Sequence, residues 1–135
     1  MPHFDVVIVG AGLSGIGAAW HLHQPPEDNT GLYRIAAAGP GDVVVDGSRG
    51  LVYRFRGGAW EEVAVFTEVS DLWSDGQGTV LAASLHRVLR LGESGFEPLD
   101  DVEFPGTLQC IAATPAGDVA VGWSPGMVAV RRDGA

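Results

Sequence analysis

The sequence predicts a mainly β protein that is built from a repeated unit of about 40 residues. One observation is a turn glycine that recurs at spacings of 37 and 39 residues, as Gly41, Gly78 and Gly117. An apolar residue ahead of that turn recurs at the same two spacings, as Ile35, Leu72 and Ile111. The third observation is composition, because the 20 glycines and 8 prolines of the 135-residue chain lie between short apolar runs. Such runs, separated by turn residues, are typical of an all-β chain.

Each repeat contains the same series of short apolar runs, which we predict to be strands. The first three runs of each repeat lie at residues 32–35, 43–45 and 52–55, then at 69–72, 80–82 and 88–91, and then at 108–111, 119–121 and 128–130. A fourth run follows at residues 60–63 and 96–99, and the third repeat ends before its own fourth run. Apolar and polar residues alternate within runs such as 52–55, so we expect strands and turns from residue 32 onward, and no helix longer than one turn.

Four short antiparallel strands in a period of about 40 residues are the signature of a β-propeller blade. The repeats resemble the divergent bacterial propeller repeats of the sensor-regulator type. We predict an incomplete β-propeller of about three four-stranded blades, at residues 32–66, 67–104 and 105–135, the last of them truncated. An open sheet of stacked hairpins is the alternative. Because propellers close with about four to eight blades, we expect a fragment of a longer protein, with pairing to a second copy or an open arc as the other two hypotheses.

The first 24 residues contain a glycine fingerprint that does not belong to the repeats. Residues 5–9 read DVVIV, which suits a buried strand, residues 10–15 read GAGLSG, and residues 16–23 suit a helix. In such a strand–loop–helix, Gly10 permits the tight turn, Gly12 lets a pyrophosphate approach the backbone, and Gly15 lets the helix pack closely on the strand. We therefore predict a Rossmann-like βα fragment at residues 1–24 and a proline-containing linker at residues 25–31.

Residues 5–22, DVVIVGAGLSGIGAAWHL, resemble the N-terminus of flavin-dependent monooxygenases, including the Baeyer–Villiger type. The resemblance implies that this segment binds the diphosphate of FAD, with contacts from Gly10, Gly12, Ser14 and Gly15. Beyond it the pattern departs from that family, because the expected ribose-binding acid is replaced by alanines at residues 36–38. The sequence also has no second glycine fingerprint and no Baeyer–Villiger signature. We therefore expect no tight FAD binding, and the alternative is a strand and helix without a cofactor.

Charge and cysteine content exclude several classes of function. The net charge of -9 opposes binding to nucleic acid and to anionic membranes. Cys110 is the only cysteine, so no intrachain disulfide can form. The longest uncharged run, residues 6–22, is too short and too rich in glycine for a good membrane span. We expect a soluble, cytoplasmic protein.

Candidate binding residues within the repeats lie in the loops between the second and third strands. These loops carry Arg49, His86 and Trp123, which we expect on one face of the repeats. Together they are suited to an anionic or flat ligand, whereas singly they are ordinary loop residues. No residue pattern predicts a catalytic nucleophile or a metal site, and the aspartates of the repeats are interpreted as turn residues.

Three hypotheses for function follow from the sequence. The first is a non-catalytic repeat module that binds a protein partner or small ligand on its loop face. The second is a piece of a monooxygenase-like oxidoreductase in which residues 5–22 bind FAD or a nicotinamide dinucleotide, NAD(P). The third is a fragment that joins segments from two unrelated proteins and has no function of its own. We also expect self-association through an unpaired strand edge at residues 128–130.

Overall fold

The computed structural model describes residues 7–8, 19–20, 32–47, 51–63 and 68–132. These residues contain thirteen strands and no helix, so the predicted mainly β fold is confirmed. Within the same ranges, no helix has the length and apolar character that crossing a lipid bilayer requires.

Three antiparallel sheets account for eleven of the strands, and within each sheet every strand pairs with the next one along the chain. The first sheet contains β3 (Leu32–Gly39), β4 (Asp42–Gly47), β5 (Val52–Arg56) and β6 (Ala59–Val63). The second contains β7 (Asp71–Ser74), β8 (Val80–Ser84), β9 (Arg87–Gly92) and β10 (Gly95–Pro98). The third contains β11 (Leu108–Ala113), β12 (Val119–Trp123) and β13 (Met127–Arg131). The four-run unit read from the sequence thus forms one sheet per repeat.

The turn glycines of the repeat have a common backbone conformation. Gly41, Gly78 and Gly117 follow the first strands of the three sheets, with φ angles of 66°, 98° and 103°. Side chains other than hydrogen strongly disfavour this left-handed region, which explains why glycine recurs at the position.

Strand β8 lies between the other two sheets, and all five of its residues are buried. Successive side chains of a strand point to opposite faces. Val80 and Ala82 therefore pack against the first sheet, and Leu81 and Ala83 against the third. We call the side of a sheet that faces the preceding sheet its trailing face, and the opposite side its leading face.

Two apolar clusters fill the interfaces between the sheets. In the first, Val44, Val52 and Val63 on the leading face of the first sheet meet Leu89 and Phe96 on the trailing face of the second. In the second, the leading face of the second sheet meets the trailing face of the third, and the buried residues are Leu81, Ala83, Val88, Leu108, Ile111, Val119 and Val121. The middle repeat thus contributes to both cores.

Hydrogen bonds join neighbouring sheets close to their first strands. The Gly78 N–H donates to the Ala38 carbonyl at 2.7 Å, which links the second sheet to the first. Asp71 accepts the backbone N–H of Ile111 at 2.9 Å, and the Ser70 hydroxyl donates to the Leu108 carbonyl at 2.7 Å. These bonds fix the second sheet relative to the third.

Cross-strand pairing identifies equivalent positions in the three sheets. Val52 pairs with Asp46, Val88 with Ala83 and Val128 with Gly122, and all three valines lie on a leading face. Val52 is 0% exposed and Val88 is 6% exposed, whereas Val128 is 69% exposed. In the described part of the chain no further sheet covers the leading face of the third sheet.

The N-terminal prediction needs a correction. Ala19–Trp20, inside the predicted helix at residues 16–23, is strand β2 and pairs antiparallel with β1, Val7–Ile8. The N–H and C=O groups that form this strand pairing are the groups that would form hydrogen bonds within a helix, so the two structures exclude each other. Tryptophan also favours strands. Strand β3, at the place of the second parallel Rossmann strand, pairs antiparallel with β4 instead. The glycine fingerprint and the linker at residues 25–31 lie outside the described residues, and the domain boundaries stay predictions.

Candidate functional site

A groove of about 370 Å³ opens between the second and third sheets, beside strand β13. Its base is apolar, because Val88 and Leu99 from the second repeat face Val121 and Ala129 from the third. Arg131 and Asp100 stand at the rim, where Nε of Arg131 lies 3.3 Å from Oδ2 of Asp100. The groove therefore combines an apolar interior with a charged entrance, as ligand sites usually do.

Strand β13 forms one wall of the groove. Its alternation places Ala129 and Arg131 on the trailing face, towards the groove, and Val128 and Val130 on the leading face. Val130 also borders the groove, at the edge of the strand. Of the described strands only β12 pairs with β13, so β13 is an edge of the third sheet. Alternate N–H and C=O groups of an edge strand point outward and are able to pair with another strand.

The segment at residues 100–107 forms the opposite rim. The Phe104 N–H donates to the His86 carbonyl and the Leu108 N–H to the Leu85 carbonyl, at 2.8 Å and 2.6 Å. The Phe104 ring packs on Trp123 with centroids 5.4 Å apart. The segment is thus hydrogen-bonded to the turn between β8 and β9 of the second sheet and packs on the third sheet through Trp123.

Two of the three predicted loop-face residues come together around Gly106. Nδ1 of His86 lies 3.0 Å from the Gly106 carbonyl oxygen, and the Trp123 ring lies against the Gly106 backbone so closely that a Cβ there would clash. Trp123 also belongs to the partly buried shell of the second core. The geometry gives Trp123 a packing role, and Arg49 lies outside the described residues.

The comparisons with known proteins support the fold. No protein-family model matches the chain. The solved structure described as "YCF48 bound to D1 peptide" matches with a TM-score of 0.61 and 13% identity, over 87% of this chain and 42% of that one. The fold is β-propeller-like. The predicted architecture is confirmed at that level, and the chain spans less than half of the propeller-type protein that it matches.

A short local match concerns flavoproteins. Over 22 residues, 16% of the chain, the sequence is 85% identical to the FAD-containing monooxygenase EthA of Mycolicibacterium smegmatis. It is 73% identical over the same length to the FAD-containing monooxygenase EthA of Mycobacterium tuberculosis. Each match covers only 4% of the monooxygenase.

Carboxylates of the first sheet are held in two different environments. Arg54 binds Asp42 through two hydrogen bonds of 2.8 and 2.6 Å, and this contact holds the pKa of the Asp42 carboxyl below its ordinary value. Asp46 is 2% exposed, and its burial raises the pKa of its carboxyl despite a 2.8 Å hydrogen bond from Arg34. Both pairs bridge neighbouring strands of one sheet, so they are structural.

The interpretation of the aspartates as turn residues is correct for only some of them. Asp75 accepts the N–H groups of Gln77 and Thr79, at 2.7 and 3.0 Å, and these bonds lower the pKa of its carboxyl. Asp46 and Asp71 lie within strands instead. Across the described ranges no three His, Cys, Asp or Glu side chains gather closely enough to hold a metal ion.

The sequence predicts the strand edge at residues 128–130 but not the groove beside it. A signal was present, because the fourth runs at residues 60–63 and 96–99 have no counterpart within residues 108–135. The sequence does not show which side chains of a fourth strand enter the interface between sheets. The structure shows that Phe96 of β10 does so.

Proposed function

We propose that the repeats form a non-catalytic module that binds an extended polypeptide segment along β13. The observation that carries this proposal is the juxtaposition of an edge strand with an apolar groove of about 370 Å³. Addition of a strand to an exposed sheet edge is a recurring mode of peptide recognition. The backbone hydrogen bonds give affinity, and pockets for alternate side chains give specificity.

A peptide suits this site better than a small flat ligand at the loop face. The loop-face residue Trp123 packs on Phe104, whereas the groove is open and borders unpaired backbone groups. The structural neighbour of this chain was solved with a peptide bound, which supports a protein partner. The loop face with Arg49 and His86 stays the alternative place for a ligand.

Phage-displayed peptides selected on the immobilised chain test the proposal. We expect enrichment of peptides that bind with dissociation constants in the micromolar range. Counter-selection on heat-denatured chain removes peptides that bind any exposed apolar segment. Failure to enrich a peptide that binds the folded chain would contradict the proposal.

FAD binding by residues 1–24 is a second candidate function, which the 22-residue match to the monooxygenases favours. The contacts would come from Gly10, Gly12, Ser14 and Gly15, at the glycine loop. The antiparallel pairing of Ala19–Trp20 weighs against it, because a dinucleotide site needs the helix N-terminus that follows the loop. Visible absorbance of the purified protein after addition of FAD and desalting is the test, and a retained flavin spectrum would support this candidate.

A further inference from the structure

We infer that the groove receives an aromatic side chain from a partner strand that pairs antiparallel with β13. This inference rests on the proposed function and names the chemistry of the peptide. The first interface between sheets contains a fourth strand, β10, whereas the described residues provide no fourth strand at the second interface.

The two interfaces are built from equivalent positions. Ala82 pairs with Leu89 in the second sheet, and Val121 pairs with Ala129 in the third. Leu89 and Ala82 line the first core, whereas Val121 and Ala129 line the groove. The groove in the second interface is therefore equivalent to a position that a side chain fills in the first interface.

Phe96 fills that place in the first interface. It lies on β10, the fourth strand of the second sheet, opposite Leu91. It is 1% exposed and belongs to the same cluster as Leu89 and Ala82. The third sheet has no fourth strand in the described residues, so nothing there supplies the equivalent ring.

The register specifies where the partner's aromatic residue lies. Phe96 lies opposite Leu91, which is two residues after Leu89. Ala129 is the equivalent of Leu89, so Arg131, two residues later, is the equivalent of Leu91. An aromatic residue of the partner opposite Arg131 thus points into the groove. Its ring lies beside the Arg131 guanidinium, a favourable arrangement for a cation and a ring face. Ala129 is smaller than Leu89 and Val121 is larger than Ala82, so the two pairs leave room for a ring of about the size of phenylalanine.

The residue that follows the aromatic one should differ between the partner strand and the chain's own fourth strands, β6 and β10. Glu61 and Glu97 follow Trp60 and Phe96, and they lie opposite Arg54 and Arg90. In the third sheet the position of these arginines is taken by Val130, which pairs with Ala120 and is 62% exposed. The partner strand therefore carries an aromatic residue followed by an apolar residue, in place of an aromatic residue followed by glutamate.

A short peptide copied from the chain itself provides the probe. The peptide ESGFVPLD reproduces residues 93–100 with valine in place of Glu97. In nuclear magnetic resonance titrations we expect it to shift the amide signals of Met127–Arg131. The peptide ESGAVPLD, without the ring, should bind about tenfold more weakly or worse, because buried aromatic anchors dominate such interfaces. The unmodified copy ESGFEPLD should also bind more weakly.

A matched pair of protein variants tests the position. Ala129→Arg places a long side chain in the groove and should abolish binding of ESGFVPLD. Ile35→Arg introduces the same side chain at a 71% exposed position of the first sheet that does not line the groove, and should leave binding within about twofold. The peptide series uses unmodified protein, so it tests the inference even if a variant fails to fold.

The outcomes separate this inference from the proposed function. Equal binding of ESGFVPLD and ESGAVPLD, no binding of ESGFVPLD at millimolar concentration, or binding that Ala129→Arg leaves intact would each overturn the inference. Display-selected peptides that bind along β13 without placing an aromatic side chain in the groove would leave the proposed function standing. If no peptide of either origin binds, both are wrong.

Discussion

At the scale of single residues, the Arg54–Asp42 pair should stabilise the first sheet. The two side chains are 13% and 20% exposed and share two hydrogen bonds. We predict that Asp42→Asn lowers the free energy of unfolding at pH 7 by about 1 kcal/mol. Urea denaturation followed by circular dichroism is the measurement.

The stabilisation by the Arg54–Asp42 pair should depend on pH in a defined direction. Arg54 holds the pKa of Asp42 below its ordinary value of 3.8, so the folded state favours the charged carboxylate. The stabilisation is present above pH 3.8 and is lost as the pH falls through the folded-state pKa. The difference between the unmodified chain and Asp42→Asn should therefore shrink in that range. Glu61→Gln, in the half-exposed pair with Arg56, is the control and should cost less than about 0.5 kcal/mol.

The glycine fingerprint permits a second prediction for one residue. We expect FAD to bind the chain no more tightly than the micromolar range, because one loop buries too little of so large a ligand. If any binding is measured by titration calorimetry, Gly12→Val should abolish it by blocking the pyrophosphate. Submicromolar binding of FAD would contradict this expectation. Binding that Gly12→Val leaves unchanged would show that FAD does not bind at the glycine fingerprint.

Single residues of the site were only partly predictable from the sequence. Strand order placed His86 and Trp123 near one another, and both contact Gly106. The sequence did not reveal that the segment at residues 100–107 covers Trp123. This segment lies at the junction between two repeats and contains none of the repeated apolar runs. Loop packing depends on local backbone geometry, which periodicity does not describe.

At the scale of strands, equivalent residues should differ in the stability that they contribute. Phe96 is 1% exposed between two sheets, whereas Trp60, at the same place on β6, is half-buried against Tyr53 and Phe55. We predict that Phe96→Ala lowers the free energy of unfolding by roughly 3–5 kcal/mol. Trp60→Ala should cost clearly less. Equal losses in chemical denaturation would argue against the inter-sheet position assigned to Phe96.

The strands were largely predictable, because alternation and turn glycines act over a few residues. Burial was less so. Ile35, Leu72 and Ile111 are equivalent in sequence, yet Ile111 is buried and Ile35 is 71% exposed. Periodicity identifies the face on which a side chain lies, but not whether another sheet covers that face. The helix prediction at Ala19–Trp20 failed for a similar reason, since the local sequence does not show that these residues pair with Val7–Ile8.

At the scale of the whole molecule, the leading face of the third sheet should cause self-association. Val128 and Val130 are 69% and 62% exposed, although Val52 and Val88, the equivalents of Val128, are buried between sheets. We predict dimers or larger species in the micromolar range by light scattering. Val128→Arg should reduce this association. A monomer across that range for the unmodified chain would refute the prediction.

Hydrogen exchange at β13 tests the central claim, that an extended segment binds along this strand, most directly. The measurement compares amide exchange of the chain alone and with a saturating display-selected peptide. We predict slower exchange at alternate amides within Met127–Arg131, because the peptide accepts hydrogen bonds from the outward N–H groups of the edge strand. Saturation with peptide that leaves exchange along β13 unchanged would contradict it.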